Sequence, residues 1–355
     1  MAATSDPQTP FEVAVRLYDH YESITEVKHY YGVLAVYALA RTAEAAGDEE
    51  LWRRVEAILR RFPEEIEHPR YNFPSYRIGG IAQAFAVAAG RMNDRRELVR
   101  TYAEELMTAP RDAAGILTMI NQPGDKIWID VAMAATPYLI FAGLALNEER
   151  YVAEAVHQAV AMHDAFLDPE NGLLHQCRNF VGPGLLSQDH WSRGNGWGFL
   201  ALTELVRHLP AESPHRPGVE QRFTALAEAL LPHQTERGLW RQEIPQADAW
   251  EESSGSGLIG YGFGVGVAAG LLDAERFLAS TRRAIAGLTC WAINPDFSTE
   301  LSCPGTLCPG DGAAKGTVAA YVARVPVTDE PHSFAPIMLA LSQSPAADVT
   351  TIPQP

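Results

Sequence analysis

No stretch of this 355-residue chain strings together the roughly 18 apolar residues that a membrane-spanning helix needs, although 47% of its residues are hydrophobic. It reads as soluble. The opening residues, Met1 to Pro10, lack the basic start and apolar run of a secretory signal, so a cytoplasmic location is the expectation. Basic charge is scarce: 28 Lys and Arg stand against 44 Asp and Glu, for a formal charge of -16. That balance excludes nucleic acid and anionic membrane as partners, since both reward clustered cations. A small anionic substrate stays compatible, because one arginine in a cleft can hold a carboxylate whatever the global charge. Cysteine is sparse too. Cys177 and Cys290 stand alone, and Cys303-Pro-Gly-Thr-Leu-Cys308 has neither the spacing nor the second half of a structural zinc site. A core this large needs no disulfide framework. With no phosphate-cradling glycine loop and no clustered metal set in the linear sequence, neither a cofactor nor a metal ion is expected.

What the chain does have is helical periodicity of two alternating kinds. Charge-poor helices are expected at Tyr30 to Ala46, Tyr76 to Gly90, Trp128 to Leu146, Gly196 to Leu209, Gly257 to Leu272 and Ser333 to Leu341. Amphipathic ones are expected at Phe11 to Tyr21, Glu49 to Phe62, Arg95 to Thr108, Glu149 to Phe166, Val219 to Gln234 and Glu275 to Trp291. A helix apolar on every face must be buried on every face, whereas an amphipathic one needs cover on one side only. Six hairpins at gaps of roughly 45 to 80 residues therefore predict an all-α (α/α)6 barrel, inner ring charge-poor and outer ring amphipathic. An open solenoid would not require alternate helices to be free of charge. The barrel is expected to occupy 11–345 as a single catalytic domain, with 1–10 and 346–355 disordered. Pro137 is expected to kink the third inner helix.

Within Trp128 to Leu146 sits one acid, Asp130, at the mouth of an otherwise uncharged helix. A carboxylate there needs a partner, a polar cavity or a chemical task, unless it merely caps the helix. Asp168-Pro-Glu-Asn-Gly-Leu-Leu-His-Gln and Gln234-Thr-Glu-Arg-Gly-Leu-Trp-Arg-Gln share a turn, Gly-Leu and a final Gln, each after an outer helix. In a ring of hairpins such segments gather at one end. Tyr30, Tyr31, Trp128, Asp130, His175, His190, Trp191, Arg193, Trp197 and the Glu251–Glu252 pair all precede or open an inner helix, so they are candidates for one pocket. Aromatic faces beside polar groups suit a sugar, although tryptophans also pack hairpins and a glutamate before a helix also caps it.

These motifs together, Trp-Ile-Asp at 128 to 130 with Pro137, Gly-Leu-Leu-His at 172 to 175, Trp-Ser-Arg-Gly-Asn-Gly-Trp at 191 to 197, Glu-Ser-Ser-Gly-Ser-Gly at 252 to 257, and Cys-Pro-Gly-Thr with a late Tyr321, make the chain resemble the unsaturated glucuronyl and rhamnogalacturonyl hydrolases of glycoside hydrolase families 88 and 105. The resemblance runs from about Tyr30 to Leu341 and implies the same (α/α)6 barrel. It further implies hydration of the C4=C5 double bond of a terminal unsaturated uronic acid on a lyase-generated oligosaccharide. Asp130 matches the catalytic acid, and His175, Trp191 and Arg193 match positions lining the sugar site. One departure stands out: such enzymes usually carry another Asp just before the second inner helix, where this chain has Gly79 and Gly80. A sugar epimerase or isomerase on a similar barrel would want paired histidines, for which only His175 and His190 are at hand. A non-catalytic sugar-binding barrel would not need Asp130.

Overall fold

The computed structural model describes residues 7–25, 30–62, 80–118, 124–308, 312 and 314–352. Thirteen α-helices lie among the described residues: α1 (Pro10–Ile24), α2 (Tyr30–Ala46), α3 (Glu49–Arg60), α4 (Gly80–Ala88), α5 (Arg96–Thr108), α6 (Asp130–Leu146), α7 (Glu149–Phe166), α8 (Ser192–His208), α9 (Arg216–Leu230), α10 (Ser253–Ala268), α11 (Ala274–Trp291), α12 (Val318–Val322) and α13 (Phe334–Leu341). The short α12 is not in the periodic pattern. Helices α2, α4, α6, α8, α10 and α13 each pack on the next, and α13 returns to α2. That closure makes a ring of six. Outside it, α1, α3, α5, α7, α9 and α11 each lean on inner helices, giving the (α/α)6 barrel. No described helix is long and apolar enough to cross a membrane.

Burial explains the two helix types. Of the 17 residues of α6, only Asp130 and Leu144 are not buried, and Ser253 to Gly266 of α10 are buried without a break. On outer α3 the buried positions are Leu51, Trp52, Val55, Ile58 and Leu59, a single stripe. The glycines of α10 let the ring close tightly. A Cβ on Gly257 would lie 2.4 Å from the Pro336 carbonyl carbon in α13, and one on Gly262 would lie 2.2 Å from the Phe199 ring in α8. Pro137 sits within α6 without ending it. Because inner helices run the same way, their N-termini share one end of the barrel. The other end opens on a cavity of about 410 Å³ lined by Arg41, Arg207, Val265 and Gln343, among others.

Several boundaries differ from the sequence reading. Helix α8 starts at Ser192 and α10 at Ser253, four residues earlier than expected in each case. At α10 the cause is capping: the Glu252 side chain accepts from the Ser254 and Gly255 N–H groups and begins the helix before its glycine run. The expected start of α4 at Tyr76, and Gly79 with it, lie outside the described residues; Gly80 opens the helix with φ +43°. Order reaches past 11–345 at both ends, since Gln8 and Ile352 pair antiparallel through their backbones at 3.3 and 2.9 Å. The barrel also carries two small antiparallel sheets, β1 (Ile127–Trp128) with β2 (Cys177–Arg178) and β3 (Trp240–Arg241) with β4 (Glu251–Glu252).

Candidate active site

The repeated turn positions the mouths of the inner helices. Gly172 and Gly238 adopt φ +76° and +87°, a region that favours glycine, and the chain then runs extended toward Gln176 and Gln242. The Gln176 carbonyl accepts from the Ile129 N–H at 2.9 Å, and the Gln242 carbonyl accepts from the Ser192 N–H at 2.9 Å. Each repeat thus fixes the first turn of an inner helix. Pairing of Trp128 with Cys177 and of Trp240 with Glu252 completes the frame.

Asp130 opens α6 as its first residue. The residue keeps a little accessible surface, yet its Oδ2 is sealed from solvent and has no hydrogen-bond partner among the described residues. Burial raises its pKa, opposed by the nearby charges of Arg193 and His332. A carboxyl so placed gives up its proton at a higher pH than one in water.

Arg193, in the first turn of α8, is buried. Its Nη1 donates to the Cys303 carbonyl at 2.9 Å and to Ser254 Oγ at 3.2 Å, and its guanidinium carbon lies 4.5 Å from the Trp191 ring centre. Nε and Nη2 find no partner among the described residues. Two unsatisfied donors on a buried cation are costly, and an entering anionic or hydroxyl oxygen would satisfy them. Glu330 stands 3.7 Å from Nη1 and accepts from the His332 N–H at 2.9 Å. Burial alone would raise the Glu330 carboxyl, but His332 and Arg193 beside it hold it down at about 2. Tyr30 hydrogen-bonds His332 Nε2, and the Tyr31 ring meets the same imidazole edge-on with centroids 5.1 Å apart.

The segment before α8 brings a second group of acids that the sequence reading passed over. Asp189 is fully buried with neither oxygen at bonding geometry to a partner, although the Ser187 hydroxyl and the Trp191 N–H lie beside it. Burial pushes its pKa up to about 7, and the charge of Asp130 adds to the rise. Glu243, also fully buried, accepts from the His190 N–H at 2.6 Å, and burial with Asp189 nearby pushes it up to about 9. His190 Nε2 lies 3.0 Å from Asp168 Oδ2, and His175 Nε2 lies 4.0 Å from the same oxygen. Burial lowers both imidazoles, His190 to about 4 with His175 as a further cause, so both are neutral near pH 7. Their rings face each other with centroids 4.7 Å apart. They sit on loops, not on inner helices as a paired-histidine isomerase would require. Asp168 was visible only as the start of a repeated turn, and Asp189 only as a neighbour of His190.

The remaining candidates separate. Trp128 stacks on Phe180 at 5.6 Å. Trp191 packs with Cys303 and Tyr321, with its indole N–H unpartnered. Trp197 is buried in the main core, and nothing places it at the mouth of the barrel. Glu252 is fully enclosed, and its two oxygens accept from the Ser254 N–H and hydroxyl, the Gly255 N–H, the Ser192 hydroxyl and the Cys303 N–H. Expected among the substrate-binding residues, it instead ties α8, α10 and the Cys303 segment together, because every lone pair that could reach a sugar is occupied. What the mouth offers is an acid whose pKa burial raises, a cation with spare donors among the described residues and several aromatic faces.

The sequence profile of Glycosyl Hydrolase Family 88 matches residues 12–344. An unsaturated 3S-rhamnoglycuronyl hydrolase of Formosa agariphila is 29% identical over 167 residues, a match spanning 44% of this chain and 44% of that protein. The unsaturated rhamnogalacturonyl hydrolase YesR of Bacillus subtilis is 23% identical over 63% of this chain and 67% of its own length. The match thus spans less than half the length of the first of these relatives. Among solved structures, a possible member of family GH105 from Salmonella enterica superposes with TM-score 0.81 at 20% identity, covering 94% of this chain and 92% of that one. At that identity the likeness speaks for the fold.

Proposed function

The chain belongs to glycosyl hydrolase family 88, and from that membership we propose that it hydrates the C4=C5 double bond of a terminal unsaturated uronic acid on lyase-generated oligosaccharides, with Asp130 as proton donor and then base. A proton passes from the Asp130 carboxyl to C4, water adds its oxygen to C5, and its spare proton returns to Asp130. The hemiketal so formed opens and releases the neighbouring sugar. Direct attack by a second carboxylate on a glycosidic carbon is not needed, so the fixed two-acid spacing of ordinary glycosidases does not apply. The observation that carries this reading is the unpartnered, sealed Oδ2 of Asp130 at the mouth of α6, its pKa raised by burial.

Arg193 is the hand for the uronate, its Nε and Nη2 free to donate in a planar fork. Tyr30, Tyr31, Trp128, His175, His190 and Trp191 line the sugar in this reading, while Trp197 and Glu252 hold the frame. Asp189 supplies a second carboxyl in electrostatic reach of Asp130, from the segment before α8 and not from the Gly79–Gly80 position. The test follows the ultraviolet absorbance of the conjugated alkene in unsaturated disaccharides. Wild type should consume it, and Asp130→Asn, folded by circular dichroism, should be slower by more than about 100-fold. A wild type inert on every such disaccharide, or an Asn variant within about tenfold of it, refutes the proposal.

A further inference from the structure

Asp168, His175 and His190 come from two separate loops, the turn after α7 and the segment before α8, yet their ligand atoms all lie within 4.8 Å of one another. His190 Nε2 and Asp168 Oδ2 are 3.0 Å apart, and His175 Nε2 is 4.0 Å from that oxygen. Ligands of a tetrahedral zinc ion, at about 2.0–2.2 Å from the metal, sit about 3.4 Å from each other. Reaching that arrangement asks His175 to close on the other two ligands by up to about 1.4 Å. We propose that Asp168, His175 and His190 form a binding site for a single zinc-class dication, closing the two loops on one another at the rim of the sugar site and leaving a fourth position for water or a substrate oxygen.

Three observations besides the spacing favour it. Two imidazoles and one carboxylate are a donor set that suits zinc and its neighbours and not magnesium or calcium, which want oxygen throughout. The three side chains are 9 to 17% exposed, enough for an ion to enter and little enough to strip most of its water. An outer layer is also in place. Asn171 Nδ2 donates to Asp168 Oδ2 at 2.9 Å.

The inference stands on geometry; His175 and His190 serve both readings, but metal binding is measured without substrate, so either reading can fail alone. Full-length protein freed of metal by a chelator is titrated with zinc(II) by calorimetry and with cobalt(II) by visible absorption. One ion per chain, intense tetrahedral cobalt bands and a melting temperature that rises with zinc are expected. Asp168→Asn, which keeps the side-chain shape, and His190→Ala should each weaken binding by more than about tenfold. Should His190→Ala fail to fold, Asp168→Asn with His175→Ala carries the comparison, each checked to melt normally without metal. Absence of saturable binding, or an ion whose affinity survives these substitutions, overturns the proposal.

Discussion

Replacing Asp189 by Asn tests whether a buried carboxyl at the mouth of the barrel keeps its proton. In the folded chain Asp189 titrates at about 7, against 3.8 ordinarily, because burial without hydrogen-bonded partners disfavours its charge. Between those two values the folded state holds a proton that the unfolded state has released. By linkage, stability then falls as pH rises, at about 1.4 kcal/mol per pH unit from this group, or about 4 kcal/mol across the window. An amide has no proton to lose and mimics the neutral acid in shape. Urea unfolding from pH 5 to 8 should therefore show Asp189→Asn gaining on wild type by about 1.4 kcal/mol per unit up to about pH 7 and levelling off above it. Glu243 is pushed up mainly by burial, with the Asp189 charge a smaller cause, so below pH 7, where Asp189 is still protonated, it contributes nearly the same slope to both chains. The buried histidines oppose that slope equally in both. Parallel curves for the two proteins would refute the reasoning, for Asp189 would then ionise as if in water.

Arg193→Lys should lower kcat/KM by about tenfold or more, because a point ammonium cannot replace a fork that holds Cys303 and Ser254 and still has two donors to spare. Unchanged kinetics per folded molecule with a lowered melting temperature would confine it to a structural role. Glu252→Ala strands donors from Ser192, Ser254, Gly255 and Cys303 and should cost about 3–5 kcal/mol in urea unfolding; a loss below about 1 kcal/mol contradicts its place as the tie between α8 and α10. Gly257→Ala sets a Cβ 2.4 Å from the α13 backbone and should destabilise by about 1–3 kcal/mol, whereas a neutral outcome would mean that the inner ring is looser than its packing indicates.

The barrel is legible in the sequence because burial on all faces leaves a composition that no other architecture asks for. Helix α6, with one acid in 17 residues, could only be an inner helix. Helix starts were less legible where the cap is unusual. Glu252 is a glutamate reaching forward to two backbone N–H groups, not the Ser, Thr, Asp or Asn that ordinarily marks an N-cap, so the start of α10 was read four residues late. Asp130 showed itself by being out of place, and Arg193 by its aromatic and glycine-rich surroundings. Asp189 and Glu243 could not, since an acid in a polar loop looks solvated until tertiary packing closes over it.

The repeated turn carries the same logic into the site. Its sequence similarity lies in Gly-Leu and Gln, but the common act is a backbone one: the carbonyl of the second Gln, at 242, and of its counterpart at 176 each receives the N–H at the mouth of an inner helix. Side chains at those two positions are therefore free to differ in use. Gln176 Nε2 and Gln242 Oε1 are both buried and without a partner among the described residues, and they stand on the two segments that bring Asp130 and Arg193 to the same end of the ring. Buried polar atoms without partners are tolerated in folded proteins mainly where something else arrives to pair them.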